Sequence, residues 1–283
     1  MPDLLDNILE DIETIPPLPE VAAQVLQMTN DPDVSAAELN QVISRDEALT
    51  ANLLKLCNSA FYGLPRVISS VTQAIMYLGF QTVRNMVLST TMDDVYTRQD
   101  VSAYNYSPEG LSEHSFATAV AAQVISRKLR PGLADTAFTA GLLHDVGKIV
   151  LAKYVQEQKA ELVEKSGSSH ITQAAEQEIL GLNHAQVGSK IGDKWNFPQE
   201  LILAIGYHHH PEEADGRPLL AVITYLANLV VLRLGIGLAD GPFEGTISEY
   251  CIESTGYSEE EMEGLCEEIK NAVDSVNEPN EAS

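Results

Sequence analysis

The sequence predicts an all-α protein, and three observations carry that reading. Apolar residues between turn signals recur at helical rather than alternating spacing. No two runs alternate as a pair of β-strands would. Proline, glycine and small polar residues fall where helices should begin and end. With 283 residues and 45% hydrophobic content, the chain can bury one large core or two modest ones.

The N-terminal stretch MPDLLDNILEDIE is acidic and has no basic segment followed by an apolar one. It is therefore not expected to be a secretory signal, and the expected location is the cytoplasm. Val21, Val25 and Met28 repeat at i, i+4 and i+7 on a helix started by IPPLPE, where Pro19 suits a first turn because it lacks an amide hydrogen. NDPDVSAAEL turns into a helix capped by Ser35, and Leu49, Leu53, Leu54 and Cys57 form the apolar stripe of another. NSAFYGLPRVISS reads as an irregular connection in which Asn58 and Ser59 bond nearby backbone while Phe61 and Tyr62 anchor the turn.

YTRQDVSAYNYSPEG lacks periodicity and is expected to link two lobes, with Ser107 and Pro108 opening the next helix. Helices are expected over about 108–129, 134–154, 198–209 and from 218, with one or two shorter ones up to 195. SEEEMEGLCEEIKNAV is an amphipathic terminal helix starting at Ser258, and VNEPNEAS is expected to be frayed. The expected division is an N-terminal helical lobe at 1–95, a second helical lobe at 96–240, and a C-terminal helical extension with tail at 241–283.

A formal charge of -24 makes the whole-molecule field repel nucleic acid and anionic membrane surfaces, so neither is expected as a partner. LLAVITYLANLVVLRLGIGLA raises the question of a membrane span. Arg233, Gly235, Gly237, Tyr225 and Asn228 favour a buried helix instead. Cys57, Cys251 and Cys266 are odd in number and widely spaced, which argues against a disulfide framework and a thiolate zinc site.

All seven histidines fall in the second lobe. GLLHDVGKIVL places His144, Asp145 and Lys148 in an otherwise apolar stretch; His114 precedes them, and His184 and the run His208, His209, His210 follow. Imidazoles and a carboxylate without thiolates suit iron, manganese, nickel or zinc. An ammonium one turn beyond His144 would hold a phosphate oxygen, and Lys148 is expected at the rim of such a site. Buried polar groups of this kind also satisfy one another without any metal.

The order H, HD, H, HH, with 29, 39 and 23 residues between the leading histidines, resembles the HD metal-dependent phosphohydrolases. IPPLPEVAAQVLQMTNDPDVSAAELNQVISRDEALTANLLKLCNSAFYG, followed by SVTQAIMYLGFQTVRNMVL, makes the resemblance specific to their output-domain relatives, the HDOD family, over roughly residues 10–235. That resemblance implies an N-terminal helical lobe packed on an HD-like helical lobe, used in bacterial signalling and often with an eroded metal site. It assigns His114, His144, Asp145, His184, His208 and His209 as metal-ligand positions, and Lys148 as the residue a catalytic version would use. Two departures stand out. Asn228 falls where the pattern expects its closing aspartate, and the Gly-Tyr-Pro stretch of the related cyclic-dinucleotide phosphodiesterases is missing. An amide oxygen has no negative charge and binds a divalent ion less strongly.

Two functions from different classes follow. One is a non-catalytic signalling and interaction module whose partner is another signalling protein or a small ligand. The other is a metal-dependent phosphohydrolase or phosphodiesterase acting on a nucleotide or cyclic dinucleotide. A metal or redox sensor is a variant of the first. The sequence does not determine the oligomeric state.

Overall fold

The structure is a computed structural model that describes residues 4–280 apart from 30, 217 and 244. In chain order its helices are α1 (Leu4–Thr14), α2 (Glu20–Met28), α3 (Ala36–Ile43), α4 (Glu47–Cys57), α5 (Val71–Thr97), α6 (Gly110–Leu129), α7 (Ala134–Leu143) and α8 (Lys148–Glu157). There follow α9 (Lys159–Ser166), α10 (Gln173–Leu180), α11 (His184–Lys194), α12 (Gln199–Gly206), α13 (Leu219–Leu234), α14 (Glu249–Thr255) and α15 (Glu259–Asn277). Among the described residues the only β-type pairings are isolated bridges, Ser59 with Pro279 and Tyr106 with Leu238. The fold is all-α.

Two compact units form, and neither is contiguous in sequence. One joins the residues up to Pro16 with Val95–Cys266; the other joins Pro17–Asp94 with the residues from Glu267 onward. The expected contiguous segments 1–95, 96–240 and 241–283 thus differ from the units at both ends of the chain. In the first unit, the carboxylate of Asp11 on α1 accepts hydrogen bonds from Tyr154 of α8 at 2.5 Å and an ion pair from Lys153 at 2.6 Å.

Local chemistry explains most helix starts. Ser35 accepts from the Glu38 amide while the Glu38 carboxylate accepts from the Ser35 amide, a reciprocal capping box. Ser258 and Glu261 repeat the arrangement at the start of α15. Pro19 caps α2 from one position outside its first turn. α5 runs on across Gly79, whose φ of 80° is open to glycine and costly for other residues.

Three expected boundaries shift for physical reasons. The helix expected from 108 starts at Gly110, because the Ser107 amide donates to Gly237 O at 3.0 Å and so ties that residue to another chain segment. The helix expected over 134–154 breaks into α7 and α8. Between them the Val146, Lys148 and Ile149 amides each donate three residues back, to Leu143, Asp145 and Val146. This tightens the turn that carries His144 and Asp145. The helix expected to reach 209 stops at Gly206, leaving the three histidines in the turn that follows.

The longest apolar run forms α13, buried along nearly its whole length and ended by Gly235 at φ 69°. No helix among the described residues is long and apolar enough to cross a membrane. The tail is not frayed as far as it is described. The Ala60 amide donates to Glu278 O at 2.8 Å, and the Asn280 amide donates to Asn58 O at 2.9 Å. The expected fraying at residues 281–283, like the expectation for residues 1–3, lies outside the described residues.

Asn58 does more than cap α4. Its amide nitrogen donates to Leu54 O and Ile68 O, both at 2.8 Å, and its oxygen accepts from the Ile68 amide at 2.7 Å. The side chain thereby fastens the end of α4 to the irregular connection ten residues on. Phe61 and Tyr62 pack edge to face at 5.0 Å within that connection. Removing three part-buried hydrogen bonds costs about 2–4 kcal/mol. Asn58→Ala is therefore expected to lower the free energy of unfolding by that amount, which a urea titration of wild type and variant would measure.

Candidate metal centre

Six separate pieces of the first unit bring the expected residues together. The tight turn between α7 and α8 supplies His144 and Asp145, α8 supplies Lys148, α6 supplies His114, and the start of α11 supplies His184. The turn after α12 adds His208 and His209, and α13 adds Asn228. Gly147 makes the approach of α11 feasible: a Cβ there would lie 1.9 Å from His184 O and 2.7 Å from the Gly188 amide nitrogen. Gly110 and Gly237 do the same on the other side, where a Cβ on Gly110 would meet Gly237 O at 2.0 Å.

Asp145 is the centre of the cluster and is 1% exposed, with its two oxygens facing different neighbours. Oδ2 accepts from the Lys148 ammonium at 2.6 Å and from the Tyr106 hydroxyl at 2.9 Å. His144 Nε2 and His114 Nε2 lie 3.3 and 3.7 Å from the same oxygen. Oδ1 faces His184 Nε2 at 3.3 Å and His208 Nε2 at 3.8 Å, and no hydrogen bond reaches it.

Backbone and carboxylate acceptors set the histidine tautomers. His144 Nδ1 lies 2.7 Å from Gly141 O, and His208 Nδ1 lies 2.7 Å from Ile205 O. A carbonyl can only accept, so both Nδ1 atoms carry the proton. In the neutral rings, Nε2 is then a bare lone pair. His184 Nδ1 donates to Glu176 Oε2 at 2.6 Å, and the same oxygen accepts the His184 amide at 2.8 Å. Its Nε2 then faces His209 Nε2 at 2.9 Å.

These contacts suit a metal ion. His144 Nε2, His208 Nε2 and Asp145 Oδ1 are fully buried acceptors without a donor. Unsatisfied buried acceptors are costly, and several converging on one volume are what a cation relieves. The donor set of imidazole nitrogens and a carboxylate oxygen fits a first-row divalent ion such as iron, manganese, nickel or zinc. Two groups have ligand atoms close enough to share an ion: His114 with His144 and Asp145, and His184 with His208 and His209. The Nδ1–H bonds to Gly141 O, Ile205 O and Glu176 orient the rings as outer partners of metal-bound histidines do.

Burial and neighbouring charge tune the groups in opposite directions. Burial, reinforced by the adjacent His144, pulls His114 down to about 3. Burial and the surrounding imidazoles hold His208 and His209 well below the ordinary histidine value, keeping them neutral as ligands must be. Burial alone would raise Asp145, but the positive charge beside it, with Lys148 bonded at 2.6 Å, outweighs burial and holds its carboxyl well below the usual range. Burial and then the Asp145 charge raise the Tyr106 phenol, which stays a donor.

The outcome differs from expectation at two positions. Asn228 does approach the cluster, but its Oδ1 lies 3.0 Å from His114 Nε2, so the imidazole donates to the amide and is spent on it. Lys148 is not at a rim. It is 6% exposed, donates to Tyr106 Oη at 3.0 Å as well as to Asp145, and sits over the rings of Tyr104 and Tyr106. The acidic oxygen and the two aromatic faces offset part of the cost of taking the ammonium out of water. His210, last of the triple run, is turned away and pairs with Glu212 at 3.3 Å.

Sequence reasoning missed Tyr106 and Glu176. Tyr106 lies in the stretch taken for a linker, which is fixed by the bridge to Leu238 and by the Ala239 amide donating to Asn105 O. Its only signal was an aromatic pair, Tyr104 and Tyr106, in a segment without periodicity. Glu176 is fully buried, eight residues before His184 on the preceding helix α10, and no spacing rule links the two.

An all-helical unit carrying a buried histidine and aspartate cluster on a tight interhelical turn defines the class to which this chain compares. The family model described as HDOD domain matches residues 15–211. The chain belongs to the HDOD family. An HDOD domain protein of unknown function from Geobacter sulfurreducens is similar over 96% of this chain and 94% of its own, with 23% identity and a TM-score of 0.77. A proposed signal transduction protein from Marinobacter aquaeolei VT8 is 25% identical, with a TM-score of 0.73, over 95% of this chain and 60% of its own. An uncharacterized protein of Treponema pallidum (strain Nichols) is 27% identical over 233 residues, 81% of this chain; the match spans 44% of that curated relative's length.

Two variants test how the cluster is held. Glu176→Gln keeps the shape but removes the charge behind His184, and loss of such an outer partner typically weakens metal binding about 10–100-fold. Isothermal titration with Mn(II) is expected to show that loss. Gly147→Ala forces a methyl group into backbone and is expected to cost about 2–3 kcal/mol of unfolding free energy, read from denaturant midpoints.

Proposed function

We propose that the chain is a bacterial signal-transduction output and interaction module of the cytoplasm. In this reading its HD-type cluster holds a metal without supporting hydrolysis. The observation that carries it is the hydrogen bond between His114 Nε2 and Asn228 Oδ1. A closing carboxylate would bring charge to that half of the cluster. The neutral amide brings none and engages the imidazole as well. Lys148 points the same way, since its ammonium is bound to Asp145 Oδ2 instead of being free for a phosphate. Membership of the HDOD family and similarity to the proposed signal transduction protein of Marinobacter aquaeolei support the signalling role. The partner is another signalling protein or a small ligand, and the acidic surface disfavours nucleic acid.

A second reading, a metal-dependent phosphohydrolase acting on a nucleotide or cyclic dinucleotide, is favoured by one observation. His184, His208 and His209 converge on one volume beside Asp145 Oδ1. A metal bound by these residues would act as a Lewis acid toward a phosphoryl oxygen. The chain's own part would be to hold the imidazoles as neutral Nε2 donors through Ile205 O and Glu176, and to keep Asp145 ionised.

Assays with p-nitrophenyl phosphate and cyclic dinucleotides, after loading with Mn(II) or with Fe(II) under anaerobic conditions, separate the two. The first reading expects turnover at background, equal in wild type and His144→Ala. Metal-dependent turnover abolished by His144→Ala would establish the second.

A further inference from the structure

We propose that Lys148 is a built-in cation that permanently closes one half of the cluster, so that the chain takes a single divalent ion, on the opposite half formed by Asp145 Oδ1, His184, His208 and His209. This rests on the reading that the cluster holds a metal and adds where the ion goes and how many are held.

The two halves share Asp145 and differ in what is left to satisfy. On the Oδ2 side, Lys148 at 2.6 Å and Tyr106 at 2.9 Å already occupy the carboxylate oxygen. Tyr106 also accepts from Lys148 at 3.0 Å, which closes a three-membered network. A divalent ion bound to Oδ2 would place a second cation beside the ammonium on one oxygen, in a buried site that screens charge poorly. His114, which would be a ligand on this side, donates its Nε2 proton to Asn228 instead. Only the His144 Nε2 lone pair is left there, 3.3 Å from Oδ2, and one imidazole makes a poor site.

On the Oδ1 side nothing is neutralised. Oδ1 and His208 Nε2 have no donor, and His184 Nε2 accepts from His209 Nε2–H at 2.9 Å, a bond between neutral rings that gives way to a metal when His209 carries its proton on Nδ1 instead. The spacings of 3.3 and 3.8 Å from Oδ1 to His184 and His208 lie near those of atoms sharing an ion with bonds of roughly 2.0–2.2 Å. Charge agrees with geometry. With neutral imidazoles, Asp145 and Glu176 carry two negative charges and Lys148 one positive. One divalent ion leaves the buried site at a single positive charge, whereas two would leave it at three. Asn228 and Lys148 thus act together: one removes a negative ligand from the Oδ2 half, and the other supplies that half with a positive charge that cannot dissociate.

The test is metal stoichiometry, measured by mass spectrometry of the protein after saturation with Mn(II) and removal of free metal, with Mn(II) titration calorimetry in parallel. Wild type is expected to hold one equivalent. His114→Ala is expected to keep it, and His209→Ala to lose it or bind at least tenfold more weakly. The double variant Lys148→Met with Asn228→Asp is expected to hold two equivalents. Two equivalents in wild type would overturn the inference while leaving the metal reading intact. So would one equivalent lost in His114→Ala but kept in His209→Ala, or a folded double variant that still holds only one. No Mn(II) bound by wild type or the double variant would overturn the metal reading itself. The wild-type count needs no substitution, so the inference stays falsifiable if a variant fails to fold, which circular dichroism would reveal.

Discussion

The buried carboxylate of Asp145 is the constraint on which the rest of this site depends. An ionised aspartate that is 1% exposed can persist only if positive charge or donors surround it, and the chain supplies them from several places at once. Lys148 comes from the first turn of α8, Tyr106 from the segment before α6, and imidazoles from α6, the α7–α8 turn, α11 and the turn after α12. Each of these segments has to come within a few ångströms of one side chain. The close backbone approaches at Gly147 and at Gly110 with Gly237 follow from that demand, because a methyl group at either place would hold an approaching segment off.

The arrangement is unequal across the carboxylate, and the inequality has a simple electrostatic origin. An ammonium at 2.6 Å supplies one positive charge with no exchange with solvent, and a phenol bonded to both partners fixes its position. The opposite oxygen has no such partner, and its neighbours are nitrogen lone pairs. Oδ1 and His208 Nε2 are left without a donor, and a cation satisfies both together. A site of this kind suits binding, and its occupancy would change the charge at the junction of α8, α11 and the turn after α12. In a signalling module, that is a way to couple a small ligand to the packing of helices.

Backbone acceptors do much of the ordering. Gly141 O and Ile205 O are carbonyls near helix ends, where the α-helical pattern leaves acceptors without an amide. His144 and His208 each use one of them, three residues back, and so satisfy the helix end and fix a ring tautomer in one contact. The breaks after Leu143 and Gly206 are therefore part of the site. Continuous helices through His144 and His208 would spend those carbonyls on backbone amides and leave the rings free to turn.

The sequence by itself determined the helical class, the helix starts at Ser35 and Ser258, the family, and the set of histidines and aspartate that converge. Those features are written in local periodicity, in side chains that bond within four residues, and in the order of residue types along the chain. Its prediction of one helix through 134–154 failed because apolar periodicity cannot register a turn tightened by three-back hydrogen bonds. The partners of the cluster were also beyond it. Tyr106 is 39 residues from Asp145, and Glu176 contributes from a different helix than His184; Asn228 was placed by the family pattern, but not its bond to His114. Which oxygen of Asp145 is neutralised and which is left open is decided only by tertiary packing, because the two oxygens are identical in the covalent chain and differ solely in what the fold places beside them.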